Sequence, residues 1–247
     1  MKADGGFVLV TGGAVRIGRA ICQELARRGL GVVVHYRRSD EEATRLVDAL
    51  RADGGQVFAL QGELDSEMAC HKLIADAFEL TGGLVGLVNN ASVFHKDALL
   101  ELSADKLESE FAINTFAPVY LTKTFAELFQ KNTDGGGGGK VINLLDRRVA
   151  QYERGMLAYM MSKKSLADFT KLAALELAPH ITVNAVAPGA VLPPPGKGDD
   201  YIHDLAGDIP LDERPTPEAV ARAVVYLLES DCVTGQTIFV DGGQHLV

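Results

Sequence analysis

The chain alternates between short, nearly continuous apolar runs and longer segments in which apolar residues recur every three or four positions. Phe7-Val8-Leu9-Val10 is the first such run, and Gly31–Tyr36, Gln56–Leu60, Leu84–Val88, Lys140–Leu145, Ile181–Val186 and Gln236–Val240 repeat its character. Runs this short, apolar on both faces and rich in β-branched residues, predict buried strands. The intervening periodicity predicts a first helix ending near Arg28, then helices over Asp40–Asp53, Ser66–Leu80, Ser103–Gln130 (broken near Pro118), Met156–Ala178 and Pro217–Glu229. Strands alternating with helices of this kind predict an α/β fold, a doubly wound parallel sheet covered on both faces in three α/β/α layers.

Two stretches break the rhythm. Gly135 to Gly139 is a run of glycines, but it precedes a strand instead of leading into a helix, so a flexible surface turn is expected and not a phosphate loop. Pro188 to Pro215 is long and rich in Pro, Gly and Asp, with one short helix expected near Asp199 to Ala206. A connection of that length in a compact domain is expected to be a substrate loop.

At 247 residues and 47% hydrophobic, the chain suits one large domain, residues 1–247. The net charge of −9 argues against a nucleic-acid binder or an anionic-membrane binder. Cys22, Cys70 and Cys232 form no metal or disulfide spacing and are expected to be buried thiols in a reducing compartment. His95, His180, His203 and His245 show no ligand spacing and are expected at the surface, so no metal is expected. Met1 to Gly6 has no apolar secretory core and no run reaches transmembrane length, which predicts a cytoplasmic protein.

Chemistry enters at three places. The first strand runs into Thr11-Gly12-Gly13-Ala14-Val15-Arg16-Ile17-Gly18, a glycine-rich turn between strand and helix that suits a dinucleotide pyrophosphate. The second strand ends His35-Tyr36-Arg37-Arg38-Ser39, where an NAD site would want a carboxylate. Two guanidinium groups and a hydroxyl fit a ribose 2′-phosphate instead and predict NADP(H), with Arg16 converging on the same region. The fifth strand ends at Asp146, and thirteen residues on stands Tyr159, then Lys163 on the same helix face. A fixed ammonium near a phenol would make it a better proton donor.

Taken in order, these parts resemble the short-chain dehydrogenase/reductases over nearly the whole chain. The matching pieces are the Thr11-Gly12…Gly18 turn, Asn89-Asn90-Ala91, Asn114, Tyr159-Met-Met-Ser-Lys163, Asn184 with Pro188-Gly189, and Val233 to Gly243. The resemblance implies a Rossmann-type fold, a nicotinamide cofactor, and a Tyr159/Lys163 pair supported by Asn114. It also implies that Glu63, Leu64, Asn89, Asn90, Ala91, Ser92 and Pro188 to Val191 lie along the cofactor, and that four copies assemble through the helices around Ser103–Gln130 and Met156–Ala178.

In most members a serine stands at the position of Asp146 and donates to a substrate carbonyl. A carboxylate there would repel a developing oxyanion and suits a substrate that offers N–H groups. The pteridine reductases share that aspartate, the arginine at Arg16, the His35–Ser39 pattern and the Asn89–Phe94 sequence; in that group the matches of Ser92 and Phe94 touch the pterin. The implied activity is NADPH-dependent reduction of a pterin or folate from the dihydro to the tetrahydro form. Two other readings stay open: a 3-oxoacyl-thioester ketoreductase with Asp146 merely structural, and a catalytically silent NADPH-binding regulator. Of Arg147 and Arg148, at least one is expected to face water; pairing with Asp146 and holding a substrate's acidic tail are the alternatives.

Overall fold

The computed structural model describes residues 6–133, 138–193, 196, 198 and 208–247. Seven parallel strands form one sheet in the order β3-β2-β1-β4-β5-β6-β7. They are β1 Phe7–Val10, β2 Gly31–Tyr36, β3 Val57–Gln61, β4 Leu84–Asn89, β5 Gly139–Leu144, β6 Ile181–Pro188 and β7 Thr237–Val240. The helices are α1 Arg16–Arg27, α2 Asp40–Ala52, α3 Glu67–Thr81, α4 Ala104–Phe111, α5 Ala117–Asn132, α6 Leu157–Glu176 and α7 Pro217–Glu229. Every strand and helix predicted within the described residues is present, with ends moved by a residue or two.

The apolar runs are buried because both sheet faces are covered. Val8 and Val10 pack with Ile21, Leu25 and Leu46 and with Val224 and Leu228 of α7 on one face. Leu9 and Val33 point the other way, into a cluster with Ile74, Leu121 and Phe125. Strand order reverses between β1 and β4, and the crevice beyond their carboxyl ends is where such a sheet receives a ligand. Thr11 closes the sheet there: its backbone N–H donates to Val88 O at 3.0 Å, and its hydroxyl accepts Asn90 N–H at 2.9 Å and Ala91 N–H at 3.0 Å.

Several details refine the sequence reading. The break in the long helix falls near Pro118 as expected, but Pro118 does not make it, since it sits harmlessly in the first turn of α5. The break is a π-helical turn, Ala112–Phe116, and it carries Asn114. Such turns often mark functional positions. Cys22 and Cys70 are buried, but Cys232 is exposed, because it lies in the loop after α7. The helix expected near Asp199 to Ala206 falls outside the described residues, as do Gly135, Gly136 and Gly137; Gly139 already belongs to β5.

Candidate active site

The carboxyl ends of β1, β2, β4, β5 and β6 surround a cavity of about 870 Å³. Every site residue expected from the sequence lines it except Glu63, Asn114 and the side-by-side Asn89; Arg148, Lys96 and Met156 line it without having been expected there.

At one end lies the turn between β1 and α1. Gly12 has φ 60°, and a Cβ on Gly18 would run into the Gly12 carbonyl and the Asn90 amide, so both positions need glycine for geometric reasons. Asn90 and His35 hold this turn from outside it. Asn90 Nδ2 donates to Thr11 O at 2.8 Å and Gly12 O at 3.1 Å. His35 Nδ1 accepts Gly12 N–H at 3.1 Å and Nε2 faces Gly62 O at 3.2 Å, which fixes the neutral tautomer with its proton on Nε2. Burial pushes the imidazole down to about 4, against the opposing pull of the Gly62 carbonyl and Glu63. His35 thus acts on the turn and not as a surface contact.

The basic cluster is less concerted than the sequence suggests. Arg16, at φ 54°, gives its guanidinium to Pro193 O at 2.9 Å and Leu192 O at 3.3 Å. It lines the same cavity as Arg37 and Arg38, but its guanidinium is spent on these loop carbonyls. Arg37 Nε pairs with Glu63 Oε2 at 2.5 Å, and this engagement explains why Glu63 leaves the cavity wall. Arg38 is exposed and makes no ion pair among the described residues.

At the other end, Asp146 stands two residues past the end of β5, and α6 brings Tyr159 and Lys163 on one face. Tyr159 donates to Asp146 Oδ2 at 3.1 Å. Arg148 donates to the same carboxylate from Nη1, at 3.1 Å to Oδ2, and from its backbone N–H, at 2.9 Å to Oδ1. Asp146 is thus bound to a neighbouring guanidinium, yet it stays in the cavity wall and keeps the tyrosine. Neither arginine faces water, contrary to expectation. Arg147 is 8% exposed, bonded to Gln151 and Glu153, and Arg148 also bonds Glu153 at 2.7 Å. A four-residue 3-10 turn, Arg147–Ala150, folds both side chains inward onto Glu153.

The expected acidification of Tyr159 by Lys163 is also not what this geometry gives. Burial, then the Asp146 charge and the hydrogen bond to it, push Tyr159 well above the usual phenol value, and Arg148 is what pulls it back down. Lys163 Nζ donates to Leu144 O at 2.8 Å and stands 5.9 Å from the Tyr159 ring centre. Its own burial lowers it to about 8. Phe94, 47% exposed, meets Tyr159 edge-on with ring centres 4.9 Å apart.

Asn114 is fully buried behind this wall. Its Oδ1 accepts Val93 N–H and Ser92 O–H, each at 2.9 Å, and its Nδ2 donates to Val93 O at 3.0 Å and Glu110 Oε2 at 2.6 Å. The backbone partners fix which way the amide points. It reaches Tyr159 only through Ser162, whose hydroxyl donates to the Tyr159 carbonyl at 2.8 Å.

A family described as enoyl-(acyl carrier protein) reductase matches residues 13–245. A 3-oxoacyl-acyl-carrier-protein reductase from Synechocystis is 31% identical over 95% of this chain and 95% of its own length. A short-chain dehydrogenase/reductase, eriH, from Hericium erinaceus is 30% identical over 97% of each chain. The crystal structure of FolM alternative dihydrofolate reductase 1 from Brucella canis, complexed with NADP, superposes with a TM-score of 0.93 at 34% identity, covering 100% of this chain and 96% of that one.

The chain belongs to the short-chain dehydrogenase/reductase family. It is an oxidoreductase. Asp146, singled out from the sequence, stands in the cavity wall beside Tyr159. The pairing of Arg148 with Asp146 was one of the alternatives held open; Glu110 and the role of His95 were missed. Glu110 is fully buried and bonded to His95, which lies at the surface as expected, 41% exposed, but is paired there; a glutamate on an apolar helix face, four residues before Asn114, was the available signal. No helix among the described residues is long and apolar enough to cross a membrane, and no metal-holding group of side chains occurs among them.

Proposed function

We propose that this protein is an NADPH-dependent reductase that takes a dihydropterin or dihydrofolate to the tetrahydro form. The observation that carries this reading is the hydrogen-bonding polarity of the cavity wall. Among the described residues Asp146 accepts each hydrogen bond it makes, from Tyr159 O–H, Arg148 Nη1–H and Arg148 N–H. Ser92 gives its proton to Asn114 Oδ1. Toward the cavity, Asp146 and Ser92 therefore offer lone pairs, on either side of the Tyr159 hydroxyl. A ketone brings only an acceptor and would face acceptors. A reduced pterin brings ring N–H and amino donors, which such a wall satisfies.

The cofactor fits the residues present. The α1 N-terminus lies open behind Gly18, and β2 ends in Arg37, Arg38 and Ser39 with no carboxylate among them, which favours a 2′-phosphate. NADPH, when bound, supplies the hydride. Lys163 and Asn90 would line its ribose and pyrophosphate side. Phe94 offers a flat apolar face to the substrate ring, a contact of about 1–3 kcal/mol by analogy with base stacking. Asp146 orients the ring by accepting its N–H, and Tyr159 O–H, hydrogen-bonded to Asp146 Oδ2, is the proton at hand for the ring nitrogen. The exposed Met161, Leu172 and Leu175 of α6 suit burial between copies, so a homotetramer is part of the proposal, as is a cytoplasmic setting.

The test is a panel of dihydrobiopterin, dihydrofolate and an acetoacetyl thioester, each with NADPH. The pterin or folate turns over, and Asp146→Ser lowers that turnover by roughly 100-fold or more while NADPH affinity holds. Reduction of the thioester alone would end the pterin reading in favour of a ketoreductase. NADPH binding with no member oxidising it would leave a cofactor-binding regulator.

A further inference from the structure

We propose that Glu110 is a positioning residue, holding the Ser92–His95 segment so that Phe94 is presented to the cavity. The proposal rests on the reading above, in which Phe94 meets the substrate ring. Glu110 sits in the last turn of α4 and has no exposed surface, yet nothing in the chemistry of the site uses it. Its Oε1 accepts His95 N–H at 2.6 Å and faces His95 Nδ1 at 3.0 Å, and its Oε2 accepts Asn114 Nδ2–H at 2.6 Å. Asn114 in turn grips Val93 by both its N–H and its carbonyl. The backbone is therefore clamped immediately before and immediately after Phe94, and both clamps lead to one carboxylate.

Phe94 itself has little to hold it. Nearly half its surface is open, and among the described residues its one aromatic partner is Tyr159, met edge-on. A ring so placed owes its direction to its backbone. The carboxylate is required because every neighbour donates: two donors come from His95 and one from Asn114, shared over two acceptor oxygens. A glutamine of the same shape has one acceptor oxygen, so its NH2 must confront either His95 N–H or Asn114 Nδ2–H, leaving a buried donor unmet. Ser92 and Val93 remain tied through Asn114 in either case, which limits the damage to the Phe94 side of the segment.

The experiment is a double-mutant cycle on substrate KM with Glu110→Gln and Phe94→Ala, alongside NADPH affinity by fluorescence titration. Glu110→Gln alone raises substrate KM about tenfold and leaves NADPH affinity within about twofold. In the Phe94→Ala background it adds little, because the group it positions is gone. Additive effects, or a parallel loss of NADPH binding, would make Glu110 a general structural residue and overturn the proposal. No change in KM for Phe94→Ala alone would instead strike at the substrate face itself, which keeps the two failures apart. Should Glu110→Gln not fold, His95→Ala removes one of the three donors from a partly exposed ring; it must then raise KM at least about twofold in the Phe94 background and not in the Phe94→Ala background.

Discussion

The two ends of the cavity are built from different materials. The turn between β1 and α1 is shaped by backbone: Gly12 and Gly18 pass close to one another, and Thr11, Asn90 and His35 each spend their polar atoms on main-chain groups. The β5 end is shaped by side chains acting on side chains, Tyr159 on Asp146, Asp146 on Arg148, and Arg148 with Arg147 on Glu153. A backbone-built site has almost no room to adjust, since its partners belong to the sheet. A site built from long side chains can keep its shape and lose its electrostatics. Substitution at the first end should therefore remove binding, and at the second end turnover.

The largest effect expected at the backbone end is that of Gly18→Ala. One methyl group would occupy the space of the Gly12 carbonyl and the Asn90 amide, and neither can move without disturbing the β1–β4 closure. NADPH affinity should fall by roughly 100-fold or more, with a lowered melting temperature, because overpacking against backbone is not relieved by a rotamer change. Retained affinity, measured by fluorescence titration, would show that the turn is softer than its contacts suggest and erase the contrast with Asp146→Ser.

This division also explains what could be read in the sequence. Burial on both faces writes a strand as a continuous apolar run, so Val32-Val33-Val34 declared β2 and all three are indeed fully buried. The glycine turn and the Tyr159/Lys163 spacing are local, and so were visible. What escaped was pairing between segments that only the fold brings together. Glu110 meets His95 from another element, and Asn90 turns back on Thr11 and Gly12. Charge beside charge in a sequence does not say which side chain is buried, and the burial of Tyr159 reversed the expected sense of its acidity.

A smaller effect at the backbone end depends on pH. His35 is 2% exposed and depressed by burial from 6.5 to about 4, which corresponds to about 3 kcal/mol between the two protonation states. The unfolded chain takes up the proton first as pH falls. The stabilising contribution of the neutral ring is therefore fully present above about pH 6.5, declines below it, and is gone near pH 4. His35→Asn keeps an acceptor for Gly12 N–H and does not titrate, so urea unfolding of the variant should lose about 3 kcal/mol less than the native chain between pH 6.5 and 4. Equal losses would mean that the ring is not the titrating pin of this turn.

The smallest effect tests the boundary between the two kinds of construction, the one place where the cofactor end relies on mobile side chains. Arg37 and Glu63 are each about half exposed, at 51% and 49%, and lie 2.5 Å apart. An exposed pair of this kind contributes about 0–1 kcal/mol, so removing it should cost the fold little. It does, however, occupy a guanidinium that the 2′-phosphate would otherwise engage, and it brings a carboxylate toward an anion. Glu63→Gln should release Arg37 and lower KM for NADPH by about twofold to fivefold, with KM for NADH and the melting temperature nearly unchanged. The gain should shrink with added salt, because both competing interactions are screened at this exposure. An equal change for NADH would place the effect on the adenine or the ribose instead of the phosphate. A rise in KM for NADPH would show that Glu63 orients Arg37 for its task, in which case this end too works through side-chain partners, and the contrast drawn between the two ends holds only for the glycine turn.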